Sequence, residues 1–297
     1  MILYHEPLYR PPAEAYSVIV QATLGCSFNK CTFCTMYETK EFKVKALDEV
    51  FLDIDKLSSI DINATKMFLA DGDALSLQTT HLIEILKYAY KKFPKLRRVS
   101  IYASAFNLYD KTLEELTLLK QNGLSLIYYG IESGNYNILK KIQKPISNQK
   151  MIDGLNKVSK ANIKISATVI LGIAGKEYSS EHIKDSADII NNTTITYLST
   201  LQLMLTDYTY EKFQKRFEGK FQMLNELEML KEQKLFLENL NPKNKVIFRS
   251  NHVSNSYALA GTLTKDNNRL INEIDEVISY LQKNPHLINT YSNKMKL

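Results

Sequence analysis

Two rhythms of apolar residues alternate along this chain. Tyr16-Ser17-Val18-Ile19-Val20-Gln21-Ala22-Thr23 is apolar and β-branched on both faces, as a strand buried in a parallel sheet should be. From Leu47 to about Ile60 the period becomes helical, with Val50, Phe51, Ile54 and Leu57 on one side. A strand over Lys66–Ala70 is halted by Asp71-Gly72-Asp73, and a helix from Thr80 to Lys92 leads through Pro94 to a strand over Arg98–Tyr102. The alternation continues with a helix over Lys111–Gln121 stopped by Gly123, then a strand over Leu124–Ile131. Helices near Asn135–Ile142 and Asn148–Ala161 follow, then a strand over Ile163–Leu171, a helix over Glu181–Asn191 and a strand over Ile195–Leu203. Six strands alternating with helices predict a parallel sheet. Right-handed crossovers would curl it into a partial (β/α)6 barrel, smaller than the closed eightfold one.

Beyond Thr206 the rhythm changes to a mainly helical extension. A long amphipathic helix is expected over Glu211–Leu240, a short strand over Val246–Phe248 and a last helix over Asp266–Leu281. At the other end Pro7, Pro11 and Pro12 make an irregular lead-in. The expected organisation is therefore a lead-in over 1–15, a barrel over 16–207 and an extension over 208–297 that closes or flanks it.

Composition narrows the class. The chain is 44% hydrophobic but has no apolar run approaching the ~18 residues of a membrane span, and no signal peptide opens it. A cytoplasmic protein with no membrane association is the expectation. A net charge of +6 with lysines and acids intermingled does not by itself indicate nucleic acid. The densest basic run, Lys91 to Arg98, joins a helix to the amino end of the third strand and reads as a solvated loop.

All three cysteines, Cys26, Cys31 and Cys34, fall in one short loop at the carboxyl end of the first strand, where α/β folds place their sites. The odd count and tight spacing argue for metal ligation over cross-linking. A structural zinc ion normally takes four protein ligands, so a zinc reading needs His5 or another histidine to complete the set. Three thiolates would instead leave a [4Fe–4S] cluster with one iron open to an external ligand.

With these features the chain resembles the radical S-adenosylmethionine (SAM) enzymes, in the branch of oxygen-independent coproporphyrinogen oxidase, MiaB and the Elp3 catalytic domain. The resemblance runs from about Ala15 to Asp207. It rests on the cysteine loop, on Gly130-Ile131-Glu132-Ser133-Gly134 after the fourth strand, and on the position of Asp71-Gly72-Asp73 after the second. One departure is the first cysteine gap, four residues here against the usual three. The resemblance implies that Cys26, Cys31 and Cys34 ligate the cluster and that SAM chelates its fourth iron. Reductive cleavage of SAM would then release a deoxyadenosyl radical that abstracts hydrogen from substrate. It also implies SAM contacts: Phe33 beside the adenine, Asp71, Gly72 and Asp73 at the methionine amino group, Glu132 and Ser133 at the methionine end or the ribose. Ile170 would offer backbone to the adenine edge, and Ser104 would touch SAM.

No residue declares itself a catalytic acid or base. The best candidates for substrate contact are Arg249, for a carboxylate or phosphate, and Asn251 and His252, for a hydroxyl. The expected partners are a small-molecule or peptide substrate and a low-potential electron donor such as flavodoxin or ferredoxin. Methylthiotransferase chemistry would need additional cysteines for a second cluster, and the chain has none. Two alternatives remain in view: an RNA-modifying radical SAM enzyme, which requires a basic rim at the carboxyl ends of the strands, and a non-catalytic iron–sulfur or zinc protein that binds a partner.

Overall fold

The computed structural model describes residues 4–289. Its strands are β1 (Val18–Gln21), β2 (Thr23–Leu24), β3 (Lys43–Val44), β4 (Lys66–Ala70), β5 (Arg98–Ala103), β6 (Leu124–Glu132), β7 (Lys164–Leu171), β8 (Tyr197–Gln202), β9 (Val246–Ser250) and β10 (Leu259–Leu263). The helices are α1 (Leu47–Ile60), α2 (Thr79–Lys92), α3 (Ala105–Asp110), α4 (Leu113–Gln121), α5 (Tyr136–Lys141), α6 (Asn148–Lys160), α7 (Ser179–Asn191), α8 (Asp207–Arg216), α9 (Glu226–Asn239) and α10 (Asn267–Lys283). An eight-stranded sheet runs β1-β4-β5-β6-β7-β8-β9-β10. The pairings β1–β4, β4–β5, β5–β6, β7–β8 and β8–β9 are parallel, and β10 returns antiparallel to β9. The expected α/β class with a mostly parallel sheet is thus what the chain forms.

Two compact units divide the chain. The first takes in the described residues up to Asn29, Cys34–Tyr129 and Asn156–Ile165. Val50, Ile54 and Leu57 of α1 and Leu82, Ile85 and Leu86 of α2 are buried with Met67, Leu69, Val99 and Ile101 of the strands. The alternate residues make a second core: Ile19, Phe68 and Ala70 pack with Tyr4, Leu8, Tyr102 and Tyr128. The lead-in is irregular, as its prolines dictate, but it is firmly tied to this unit. Tyr4 donates to Ile19 O (3.1 Å), and the Gln21 amide exchanges two 2.9 Å hydrogen bonds with the His5 backbone. Glu14 is fully buried and accepts from Arg98 (2.7 Å), Tyr128 (2.5 Å) and Ser17.

The second unit holds Lys30–Phe33, Gly130–Leu155 and the described residues from Ser166 on. Ala167, Val169, Leu171, Leu198, Val246 and Phe248 of its strands are buried, as are Ile183 and Ala187 of α7 and Phe236 and Leu237 of α9.

Four expectations are corrected. The first strand stops at Gln21, and Thr23–Leu24 pairs with Lys43–Val44 in a small separate ribbon. An extra short helix, α3, precedes α4 because Ser104 and Asn107 cap its start reciprocally. The segment 211–240 is two helices: Glu218 and Gly219 turn left-handed after α8, and Asn225 with Glu228 forms a capping box that starts α9 afresh. The late strand is longer than the expected Val246–Phe248: β9 runs to Ser250 beside β8, and β10, for which no strand was expected, pairs antiparallel with it.

Candidate functional site

The cysteine loop leaves the end of β1 over a buried carboxylate. Asp71, which follows β4, accepts from Gly25 N (3.0 Å) and Gln21 Nε2 (3.2 Å) and pairs with Lys40 Nζ at 2.5 Å. Gly72 N in turn donates to Gly25 O at 3.1 Å. These bonds clamp the turn after β4 to the start of the loop. The clamp is tight enough to exclude a side chain: a Cβ on Gly72 would stand 2.6 Å from Cε2 of Tyr37 and 3.0 Å from Cβ of Cys26.

Asp73 completes the turn in a different state. It is fully buried and accepts from the Ser27 hydroxyl, and the nearby polar groups of Asn107 and Ser104 also favour its charged form. Burial nevertheless pushes its carboxyl above the usual carboxylate range, against those hydrogen bonds. Its Oδ1 has no partner among the described residues. Ser104 Oγ accepts from Asn107 N at 3.3 Å at the head of α3. The first unit therefore brings Cys26, Gly72, Asp73 and Ser104 together, while Asp71 is committed to holding the loop.

A residue that sequence reasoning missed, Tyr37, lies in the same place. Burial, then the Asp71 charge, then Tyr102, Cys26 and Cys34 push its hydroxyl above the ordinary tyrosine range. Nothing in its local pattern distinguishes it from the other tyrosines of the chain.

In the second unit the turn after β6 is built on Glu132 with a left-handed backbone, φ 62°. Its carboxylate accepts from Lys144 Nζ at 2.9 Å, and Lys144 also donates to Gly130 O at 2.6 Å. Ser133 is fully buried, its hydroxyl 2.8 Å from His182 Nδ1 and accepting from Asn135 N at 3.0 Å. His182 Nε2 lies 3.1 Å from Ile170 O. A carbonyl can only accept, so Nε2 carries the proton and Nδ1 accepts from Ser133. Burial lowers this imidazole to about 4, keeping it neutral. The Ser133 hydroxyl and the Ile170 carbonyl thus join β6 to β7 through α7. Ser133, expected from the resemblance to contact SAM, has its hydroxyl engaged by His182 and Asn135 within the fold.

The next turn is supported from the extension. Glu232 of α9 is buried and accepts from Gly172 N (2.6 Å) and the Ser179 hydroxyl (2.9 Å); burial raises its carboxyl to about 8. On β9, Arg249 is exposed in register with Ser199, and its guanidinium donates to Phe248 O at 2.7 Å. Ser250, its neighbour, points the other way and donates to Gln233 of α9 at 3.2 Å. Asn251 is exposed; His252 is half-buried, 2.8 Å from Ser254 Oγ, and burial lowers its pKa. The loop they belong to is tied to the end of β8, where Asn255 bonds Gln202 N (2.9 Å) and Thr200 O (2.8 Å).

Cys26, Cys31 and Cys34 are all partly buried. Among the described residues no three His, Cys, Asp or Glu side chains are gathered into a ready-made metal site. The fit to a cluster rests on donor chemistry: three thiols carried by one loop whose base is pinned, with Cys26 pressed against the Gly72 turn and a buried carboxylate oxygen beyond it.

The cysteines and acidic turns lie at the carboxyl ends of parallel strands, where α/β folds bind their ligands. A model described as the Radical SAM superfamily matches residues 20–190 of the 297, and the protein belongs to that superfamily. It is accordingly an enzyme whose cofactors are SAM and a [4Fe–4S] cluster. Among solved structures it is similar to coproporphyrinogen III oxidase (HemN) from Escherichia coli, at 14% identity and a TM-score of 0.53, covering 75% of this chain and 52% of that one. It is similar to methylornithine synthase (PylB) at 12% identity and a TM-score of 0.52, covering 90% and 81%. The methyltransferase TsrM from Kitasatospora setae, with tryptophan and a SAM analogue bound, matches at 16% identity and a TM-score of 0.54, covering 66% and 38%. These likenesses show a shared fold. The chain spans little more than a third of TsrM and about half of HemN. No curated protein matches the sequence. Among the described residues no helix is long and apolar enough to cross a membrane.

Proposed function

We propose that the protein cleaves SAM reductively at a cluster held by Cys26, Cys31 and Cys34 and directs the product radical to a hydrogen of a small-molecule or peptide substrate. Bound together, the two cofactors supply a deoxyadenosyl radical under low-potential reduction. The single observation that supports this reading best is the buried, unpartnered Oδ1 of Asp73 beside the cysteine loop. A carboxylate oxygen buried without a donor is costly, and an ammonium group such as that of the methionine end of SAM satisfies it. Ser104 and Ser27 both favour the charged form of Asp73. Glu132, oriented by Lys144, is read as a second polar contact to SAM, Phe33 as a cover for the adenine and Ile170 as backbone at its edge.

Arg249 would take a substrate carboxylate or phosphate, with Asn251 and His252 at a neighbouring hydroxyl. Residues 208–297 are read as an extension that steadies the β7 turn through Glu232 and carries the substrate contacts. The electron donor is a low-potential protein of the flavodoxin or ferredoxin kind, and the compartment is the cytoplasm.

Anaerobic reconstitution with iron and sulfide, followed by SAM and a strong reductant, tests the reading. Deoxyadenosine should accumulate, Cys34→Ala should yield none, and Asp73→Asn should keep its iron while losing about tenfold or more in SAM affinity. An intact cluster that leaves SAM untouched, with or without candidate substrates, would sink it.

A further inference from the structure

Besides Asp73 Oδ1, the first unit buries the Tyr37 hydroxyl without a hydrogen-bond partner, and the SAM contacts do not account for it. The Tyr37 side chain is 3% exposed, and its Oη accepts from and donates to nothing among the described residues. The ring is not loosely placed. Tyr9 meets it edge-on with centroids 5.5 Å apart, and its backbone carbonyl accepts from Asn29 Nδ2 at 2.8 Å and Lys40 N at 3.1 Å.

A Gly72 Cβ would stand 2.6 Å from Cε2 of Tyr37 and 3.0 Å from Cβ of Cys26, so the phenol edge and that cysteine flank the same glycine. Cys34 and Cys26 both act electrostatically on the hydroxyl. Asp71, the carboxylate that acts on this hydroxyl, is already occupied by Lys40, Gln21 and Gly25. A tyrosine hydroxyl is a proton donor at neutral pH, and thiolate or sulfide sulfur is the acceptor that a filled cysteine loop would place beside it.

We infer that Tyr37 donates a hydrogen bond to a sulfur of the cluster held by the cysteine loop, and so sets the potential at which that cluster accepts an electron. This inference rests on the radical SAM reading of the loop. Hydrogen bonds to cluster sulfur stabilise the more electron-rich, reduced state, so the hydroxyl raises the reduction potential. Tyr37 is a tuning residue and touches no substrate.

The test compares the reconstituted full-length protein with Tyr37→Phe and with 3-fluorotyrosine placed at position 37, a stronger donor of nearly the same shape. Iron and sulfide content and the ultraviolet circular dichroism spectrum establish that each is folded and loaded. Potentiometric titration should then show the Tyr37→Phe midpoint displaced to more negative potential and the fluorotyrosine midpoint displaced to more positive potential. Electron–nuclear double resonance of the reduced cluster should lose one solvent-exchangeable proton coupling in Tyr37→Phe. Should Tyr37→Phe fail to load, the positive displacement in the fluorotyrosine protein carries the test alone. Coincident midpoints with unchanged proton couplings overturn the role of Tyr37 and leave the cluster reading standing. Failure of the natural protein to assemble any iron–sulfur cluster overturns both.

Discussion

Asp71 and Asp73 stand two positions apart and do different work. Asp71 is neutralised by Lys40 and locks the loop, whereas Asp73 keeps one oxygen unused. A buried ion pair loses more when one partner is removed than when both are, because the survivor is left as an uncompensated charge. Lys40→Met should therefore lower unfolding free energy by about 3 kcal/mol, and Lys40→Met with Asp71→Asn should recover part of that loss. Denaturant titration of both variants checks this; equal losses would show that Lys40 acts through packing alone. The sequence marks Asp71-Gly72-Asp73 as a site because of where a strand ends. It cannot divide the labour between the two acids, since Lys40, Gln21 and Ser27 reach them only through the folded chain. Tyr37 was illegible for the same reason.

The joints between elements carry the next set of consequences. Gly134 follows the turn after β6 and lies against α7, where an added Cβ would stand 2.2 Å from the Asp185 carbonyl. Backbone cannot yield as a flexible side chain can, so Gly134→Ala should destabilise by about 2 kcal/mol or more, read as a lowered Tm. Two of the buried ionisable groups, His182 and Glu232, give pH slopes of opposite sign. His182 has a folded value of about 4 against an ordinary 6.5, so the unfolded chain takes up its proton first as pH falls. Its contribution to stability is present above pH 6.5 and is lost as pH drops from 6.5 towards 4. Glu232 has a folded value of about 8 against 4.5, so the fold retains a proton that the unfolded chain has released. Stability from this group falls as pH rises from 4.5 to 8. Glu232→Gln should remove that decline, so the gap between variant and natural protein in unfolding free energy should widen with pH, by on the order of 4 kcal/mol across the window. A gap independent of pH would mean that Glu232 does not hold its proton. Neither group could be picked out from the sequence, because each lies on a helix whose pattern predicts only that some face is buried. The break between α8 and α9 was missed because charge and apolar periodicity continue across it while Asn225 and Glu228 restart the helix locally.

At the level of the molecule, the strand rhythm was the legible part. Each of the six expected strands is present because a strand buried on both faces advertises itself by a short apolar run, with Gly, Asp or Pro close by. The later additions were harder. β9 alternates buried Val246, Phe248 and Ser250 with more exposed neighbours, and β10 is Leu259-Ala260-Gly261-Thr262-Leu263, too weakly apolar to declare a strand without its partner. The cysteine loop was legible because its chemistry is local in sequence. The proposal for the site is that the loop provides three thiolates and leaves one iron for SAM. Electron paramagnetic resonance of the anaerobically reconstituted, reduced protein, recorded before and after adding SAM, tests it most directly. About four irons per chain are expected, with the signal of a reduced [4Fe–4S] cluster whose g values move when SAM binds. A signal indifferent to SAM, or zinc in place of iron in protein prepared without oxygen, would contradict it.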